Sequence, residues 1–198
     1  MSKPSTFSRI RDLKRTQQIA FSALLLERML PNYQLYSELT EQGDFKVLRK
    51  ALDAIWQKLY DPKTKINLEL REERVSEQIP EEQTSDSIGL YAAIDAAMAL
   101  VSLLSLMQRA PDEGQKESVY VSLLSQGTIE RLLISSGEAE HSKDALNHPH
   151  MQWEIDSQNE FLDRVEKIHK FDAQACKDLQ VLALAEGVTN LGIEVNAE

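Results

Sequence analysis

The chain has 198 residues, 42% of them hydrophobic, and a formal net charge of −10 at pH 7. Phosphate backbones and anionic lipid surfaces are met by basic protein surfaces, so neither a nucleic-acid nor a membrane partner is expected. The single Cys176 excludes an intramolecular disulfide, and no apolar run with a cleavage site follows the basic N-terminus, so the reducing cytoplasm is the expected compartment.

The punctuation along the chain is that of consecutive helices. Phe7, Ile10 and Leu13 predict a short amphipathic turn or two. A longer helix is predicted from about Arg15 to Leu30, stopping at Pro31, which cannot continue the hydrogen-bond ladder. Pro31 then opens a helix carrying Tyr33, Tyr36 and Leu39 that ends at Gly43. Asp44 is the expected N-cap of a helix with Phe45, Leu48, Leu52, Ile55, Trp56 and Leu59 inward, closed by Asp61-Pro62. Asn67 caps the next, with Leu68, Val75 and Ile79 inside and Pro80 as terminator. The stretch 81–87 reads as a loop.

Residues 88–107 form the most distinctive segment, because only Asp95 among them is charged. A helix apolar all round is either the core of a helical domain or a membrane span. Eight Leu, Ile and Val side chains favour insertion by about 4 kcal/mol in total, and one Asp costs about 3. With two Ser, one Gly and no flanking aromatic belt, the buried reading is preferred. Pro111 then precedes a helix from about Glu113 to Ser135, with Val119, Leu123, Ile129, Leu132 and Leu133 inward. Ser142 caps a short turn, Pro149 opens a long helix with Trp153, Phe161, Leu162, Val165 and Ile168, and Asp172 caps the last one. The expected fold is all-α: a single-domain multi-helix bundle over residues 1–198, built around the central apolar helix at about 88–108, with a short extended tail at 188–198.

Three patterns resemble metal chemistry. Glu138 with His141 and Glu166 with His169 have the i, i+3 spacing of di-metal carboxylate sites, but neither pair is offered from the interior of a packed helix. His141, His148 and His150 lack the further ligands that a structural zinc needs. Glu69/Glu72 and Glu160/Asp163 could each share a hard cation, yet the two pairs lie far apart in the chain. No phosphate-binding glycine loop, dinucleotide fingerprint or nucleophile elbow is present. No metal and no cofactor are therefore expected, and an enzymatic role is not favoured.

The segments 27–33 (ERMLPNY), 52–56 (LDAIW), 91–96 (YAAIDA) and 190–193 (NLGI) stand in an order and spacing that resemble the YjaG-like family of bacterial proteins, over essentially the whole chain. Ala92 departs from a proline in a related member, which bears on where the central helix starts. The resemblance implies a single cytoplasmic all-helical domain and brings no reaction, cofactor or catalytic residue with it.

The remaining distinctive residues are polar groups set in apolar sequence: Asp95, Asp53, Glu27 and Arg28. Buried charges persist when paired, and Arg28 is the expected partner of Asp95. One reading is an internal network that fixes helix packing in a protein acting by protein contact or self-association, with Tyr33, Tyr36 or Trp153 as anchors. The alternative is a small-molecule binder or metal-dependent hydrolase with a carboxylate-lined pocket between helices. A polar pocket at Asp95 or Asp53 favours the second, and an apolar patch on a helix face favours the first.

Overall fold

The computed structural model describes residues 5–81, 87–110 and 113–195. Among these the chain is all-α, with α1 (Thr6–Asp12), α2 (Arg15–Thr40), α3 (Phe45–Tyr60), α4 (Leu68–Ser76), α5 (Ile88–Gln108), α6 (Gln115–Ser135), α7 (Ser142–Asn147), α8 (Pro149–Val165) and α9 (Ala173–Ala183). Most of 81–87 and Pro111 lie outside the described residues.

The helix starts follow local chemistry. Asp44, Asn67 and Asp172 accept from the backbone N–H groups of Lys46, Leu70 and Ala175, and so satisfy donors that a first turn leaves free. Pro149 occupies the first position of α8, where its missing N–H costs nothing. Ser142 differs from expectation: it is the first residue of α7, and its hydroxyl donates to Glu130.

The main departure is at Pro31, which does not end a helix. α2 runs through it to Thr40, and Glu41 then takes a left-handed conformation, φ 57°. An interior proline costs about 3 kcal/mol, and burial on both sides of the break offsets it. Leu24, Leu25, Leu26, Met29, Leu30, Tyr33 and Tyr36 all belong to the core. The Arg28 carbonyl, beside the interrupted ladder, accepts the Asn190 N–H at 3.4 Å.

α5 is the one helix among the described residues long and apolar enough to cross a membrane, and most of it is buried by protein instead. It packs on α2, α6 and α4. Its residues Leu90, Ala93, Ala96, Ala97, Leu100, Leu103 and Leu104 join α2 and α3 in one hydrophobic cluster. Tyr33 and Tyr36 are core residues, so they are not surface anchors; Trp153 is half-buried. Leu123, expected inward, is 46% exposed, because the buried stripe of α6 runs through Val121, Ser122, Leu124, Ser125, Thr128 and Ile129. After α9 the backbone turns back on itself, with an antiparallel bridge between Val188 and Glu194, and it seats Thr189 and Asn190 in the interior.

Candidate functional site

Glu27 and Arg28 are neighbours on α2, and successive helix residues point to different sides. Glu27 faces α3, where its carboxylate accepts from Arg49 Nη1 at 2.6 Å, Arg49 Nη2 at 2.9 Å and the Trp56 indole N–H at 2.7 Å. Gln180 of α9 adds a longer contact at 3.4 Å. Arg28 faces α8 and donates from Nη1 to Glu154 Oε2 at 2.6 Å. Its guanidinium carbon lies 4.5 Å from the Trp153 ring centroid and 5.9 Å from that of Phe161, within cation–π range.

Glu154 is the hub of this second network. Its Oε1 accepts from Ser125 Oγ at 2.7 Å and Gln158 Nε2 at 2.8 Å, and Gln158 Oε1 accepts from Ser122 Oγ at 2.6 Å. Asn190 joins it from the C-terminal turn: its Nδ2 donates to Ser125 Oγ at 3.2 Å, and its Oδ1 accepts from Asn32 Nδ2 at 2.8 Å. Among the described residues, Arg28 Nη2 and Asn32 Oδ1 have no hydrogen-bond partner. The network ties α2, α6, α8 and the tail together through directional bonds.

Asp95 belongs to neither group. Its Oδ2 accepts from Thr128 Oγ1 at 2.6 Å and pairs with Arg131, whose guanidinium lies over the Tyr91 ring. The expected Asp95–Arg28 pair is therefore not formed: α5 turns Asp95 toward α6, and Arg28 faces α8. Asp53 is not embedded either. Its side chain is 57% exposed and pairs with Arg49 one turn away, because the inward stripe of α3 runs through 48, 52, 55, 56 and 59 and leaves 53 opposite. Sequence reading missed Glu154, Gln158, Ser122, Ser125 and Asn190. The first two were findable, since 151, 154, 158, 161, 162 and 165 make one helical stripe and all six are buried.

Burial pushes the Asp95 carboxyl above the ordinary carboxylate range, and the Thr128 and Arg131 contacts only partly oppose this. A carboxyl raised on folding contributes stability that is full below its unfolded value, about 3.9, and lost as pH rises through the folded one. Asp95→Asn should therefore gain on the wild type as pH is raised from about 4 to 7, read from urea midpoints across that range. A gap moving the other way would mean that the half-exposed Arg131 outweighs burial.

Several members of the metal-like patterns have other partners. Arg9 binds Asp163 and Glu166, at 2.6 and 3.0 Å, and Glu72 accepts from Ser105 at 2.6 Å. His148 lies 3.4 Å from Glu138, and His150 meets the Asn190 carbonyl at 3.0 Å. Glu140, His141 and Asp144 bring ligand atoms within 4.8 Å of one another, all on exposed side chains.

Neither Asp95 nor Asp53 lines any of five surface cavities among the described residues. One of about 230 Å³ sits between the C-terminal half of α2, the start of α5 and the tail, and no charged residue among the described ones lines it. Leu39, 75% exposed, and the less exposed Leu35 and Ile193 stand at its edge. A second, of about 310 Å³ between α3 and α4, is lined by Lys46, Lys50, Lys65, Arg71 and Arg74.

Fold and site together define a class: an all-α domain whose helices are cross-linked by buried polar networks. The chain belongs to the family described as "Protein of unknown function (DUF416)", whose model matches residues 5–194. It is 32% identical over 186 residues to uncharacterized protein YjaG of Escherichia coli strain K12 and of Salmonella typhimurium, covering 93% of this chain and 94% of theirs. An uncharacterized Haemophilus influenzae protein is 31% identical over 188 residues, covering 94% of this chain and 95% of that one. The crystal structure of a DUF416 family protein from Shewanella baltica superposes with a TM-score of 0.87 at 34% identity, covering 98% of this chain and 100% of that chain.

Proposed function

We propose that the protein acts in the cytoplasm by binding another protein chain, or a second copy of itself, through the uncharged groove beside the C-terminal half of α2. The observation that carries this reading is the apolar ridge of Leu35 and Leu39 with Ile193, exposed around a cavity whose lining, among the described residues, holds no charge. Exposed apolar residues grouped at a concave site, in a chain where 27% of residues are charged, are the usual composition of a contact core. The buried carboxylates support the same view, since their oxygens are taken up by Arg28, Arg49, Arg131 and neighbouring donors. The charge of −10 weighs against nucleic acid and anionic membranes as partners. Cys176 is free and buried, and burial, with the Asp172 charge behind it, pushes its thiol up to about 11, which suits a structural residue in a reducing compartment.

A benzophenone side chain in place of Leu39 is the test, with the same probe in place of the exposed Lys170 as control. In living cells, irradiation should give a discrete adduct from position 39 and none from 170. The adduct should disappear when Leu35→Glu puts a charge into the groove, and its mass distinguishes a second copy from a different chain. Equal labelling at the two positions, or none at 39, would remove the groove as a contact surface.

A further inference from the structure

The cleft between α3 and α4 runs against the overall charge of the protein. In a chain of net charge −10, five cations and a single carboxylate line it. The carboxylate, Asp44, is committed to capping α3 through the Lys46 N–H at 2.9 Å. None of the five cations takes part in an ion pair among the described residues. Only Arg71 is tied down, by a 3.3 Å bond to the Lys50 carbonyl.

Helix periodicity produces this arrangement. On α4, Asn67, Leu70, Arg71 and Arg74 make one i, i+3, i+4, i+7 stripe along the cleft, as Val47, Lys50 and Ala51 do on α3. The acids of α4 are kept off this stripe: Glu72 turns to Ser105 and Gln108 of α5, and Glu69 and Glu73 lie outside the lining. The lining also holds the apolar side chains of Val47, Ala51, Ile66 and Leu70.

We propose that this cleft binds an organic polyphosphate, a molecule with two or more phosphate groups on an apolar body. The α4 stripe from 67 to 74 is about 10 Å long at 1.5 Å per residue, too short to follow a nucleic-acid backbone. An extended acidic peptide places same-face side chains about 7 Å apart, so it brings about two charges to this length. Two phosphates bring about three to four, which matches the surplus of cations. Arginine forks and mobile lysines are the side chains that bind such oxygens. The apolar lining accommodates the organic part, and the volume of about 310 Å³ falls at the small end of ligand sites.

The purified full chain is titrated with ADP, inorganic pyrophosphate and a penta-glutamate peptide at low ionic strength without divalent cations, followed by amide chemical shifts and calorimetry. ADP should shift amides of residues 45–51 and 65–74 and bind more tightly than pyrophosphate, which leaves the apolar lining unused. Lys50→Gln/Arg74→Gln, at exposed side chains that make no ion pair, should weaken ADP about tenfold or more, the equivalent of roughly one lost charge-assisted contact. Lys170→Gln/Lys177→Gln, which removes as much charge elsewhere, should leave ADP binding unchanged. Pyrophosphate binding as well as ADP, equal weakening by the control pair, or no binding of any probe would each overturn the proposal. So would tighter binding of penta-glutamate, which would assign the cleft to an acidic protein segment. The α2 groove lies elsewhere on the molecule, so failure here leaves the crosslinking result at position 39 untouched, and the reverse holds.

Discussion

Arg28→Met is expected to lower the unfolding free energy by about 3–5 kcal/mol, the cost of stranding one partner of a buried ion pair. The Arg28 and Glu154 side chains are 4% and 0% exposed, so water cannot replace the guanidinium without opening the interface between α2 and α8. Ser125 and Gln158 continue to donate to Glu154, which places the expectation toward the lower part of that range. Losing the cation also removes the contacts with Trp153 and Phe161, although the Met side chain restores part of their apolar cover. Arg28→Met/Glu154→Met should cost clearly less than the sum of the two single changes, because neither charge is then left alone. Urea unfolding of the four proteins reads this directly. A loss below about 1 kcal/mol for Arg28→Met, the range of an exposed pair, would show that the pair does not hold the helices in place.

How legible these features were in sequence depended on whether a residue's role was local. The starts of α3, α4, α8 and α9 were readable because Asp44, Asn67, Pro149 and Asp172 act on backbone within their own first turn. Pro31 misled because its local penalty is real and is overcome only by tertiary burial along α2, which no local rule contains. Among the embedded charges, Glu27, Arg28 and Asp95 read as buried in sequence and are buried in the fold, since apolar residues surround them at helical spacing. Asp53 reads as embedded from its sequence neighbours Leu52 and Ile55, yet its side chain is exposed, because the stripe, not adjacency, decides which way a helical residue faces.

The pairing of those charges was not legible. Asp95 and Arg131 sit on different helices, as do Arg28 and Glu154, and their meeting depends on how α5, α6 and α8 rotate against α2. Asn190 stands in the segment 190–193 that carries part of the family resemblance, but its structural role has no local signal: it lies in an irregular segment without periodicity, yet it bonds α2 and α6 together. The cationic cleft is intermediate. Each stripe is visible in sequence, but on α4 alone the cations are interleaved with Glu69, Glu72 and Glu73, and only the packing of α3 on α4 separates the signs.

Leu100→Ala and Leu123→Ala test the same distinction in the apolar core, and their effects should differ severalfold. Leu100 is 0% exposed at the middle of α5, in the cluster that joins α2, α3 and α6. Truncation there removes transfer free energy and leaves a cavity that packed neighbours fill only in part, for a loss of about 2–5 kcal/mol. The position within that range depends on how far the surroundings collapse, and the small residues Ala93, Ala96, Ala97 and Ala99 on the same helix leave little side chain to move inward. Leu123, in contrast, is 46% exposed on α6. It leaves no closed cavity, and the higher helix propensity of alanine offsets part of the lost contact, so a change within about 0.5 kcal/mol is expected. Both are read from urea midpoints, with unchanged slopes confirming that the unfolded reference is the same. Comparable losses at the two positions would mean that Leu100 is not packed as a core residue, because a buried leucine leaves a cavity on truncation and a surface leucine does not.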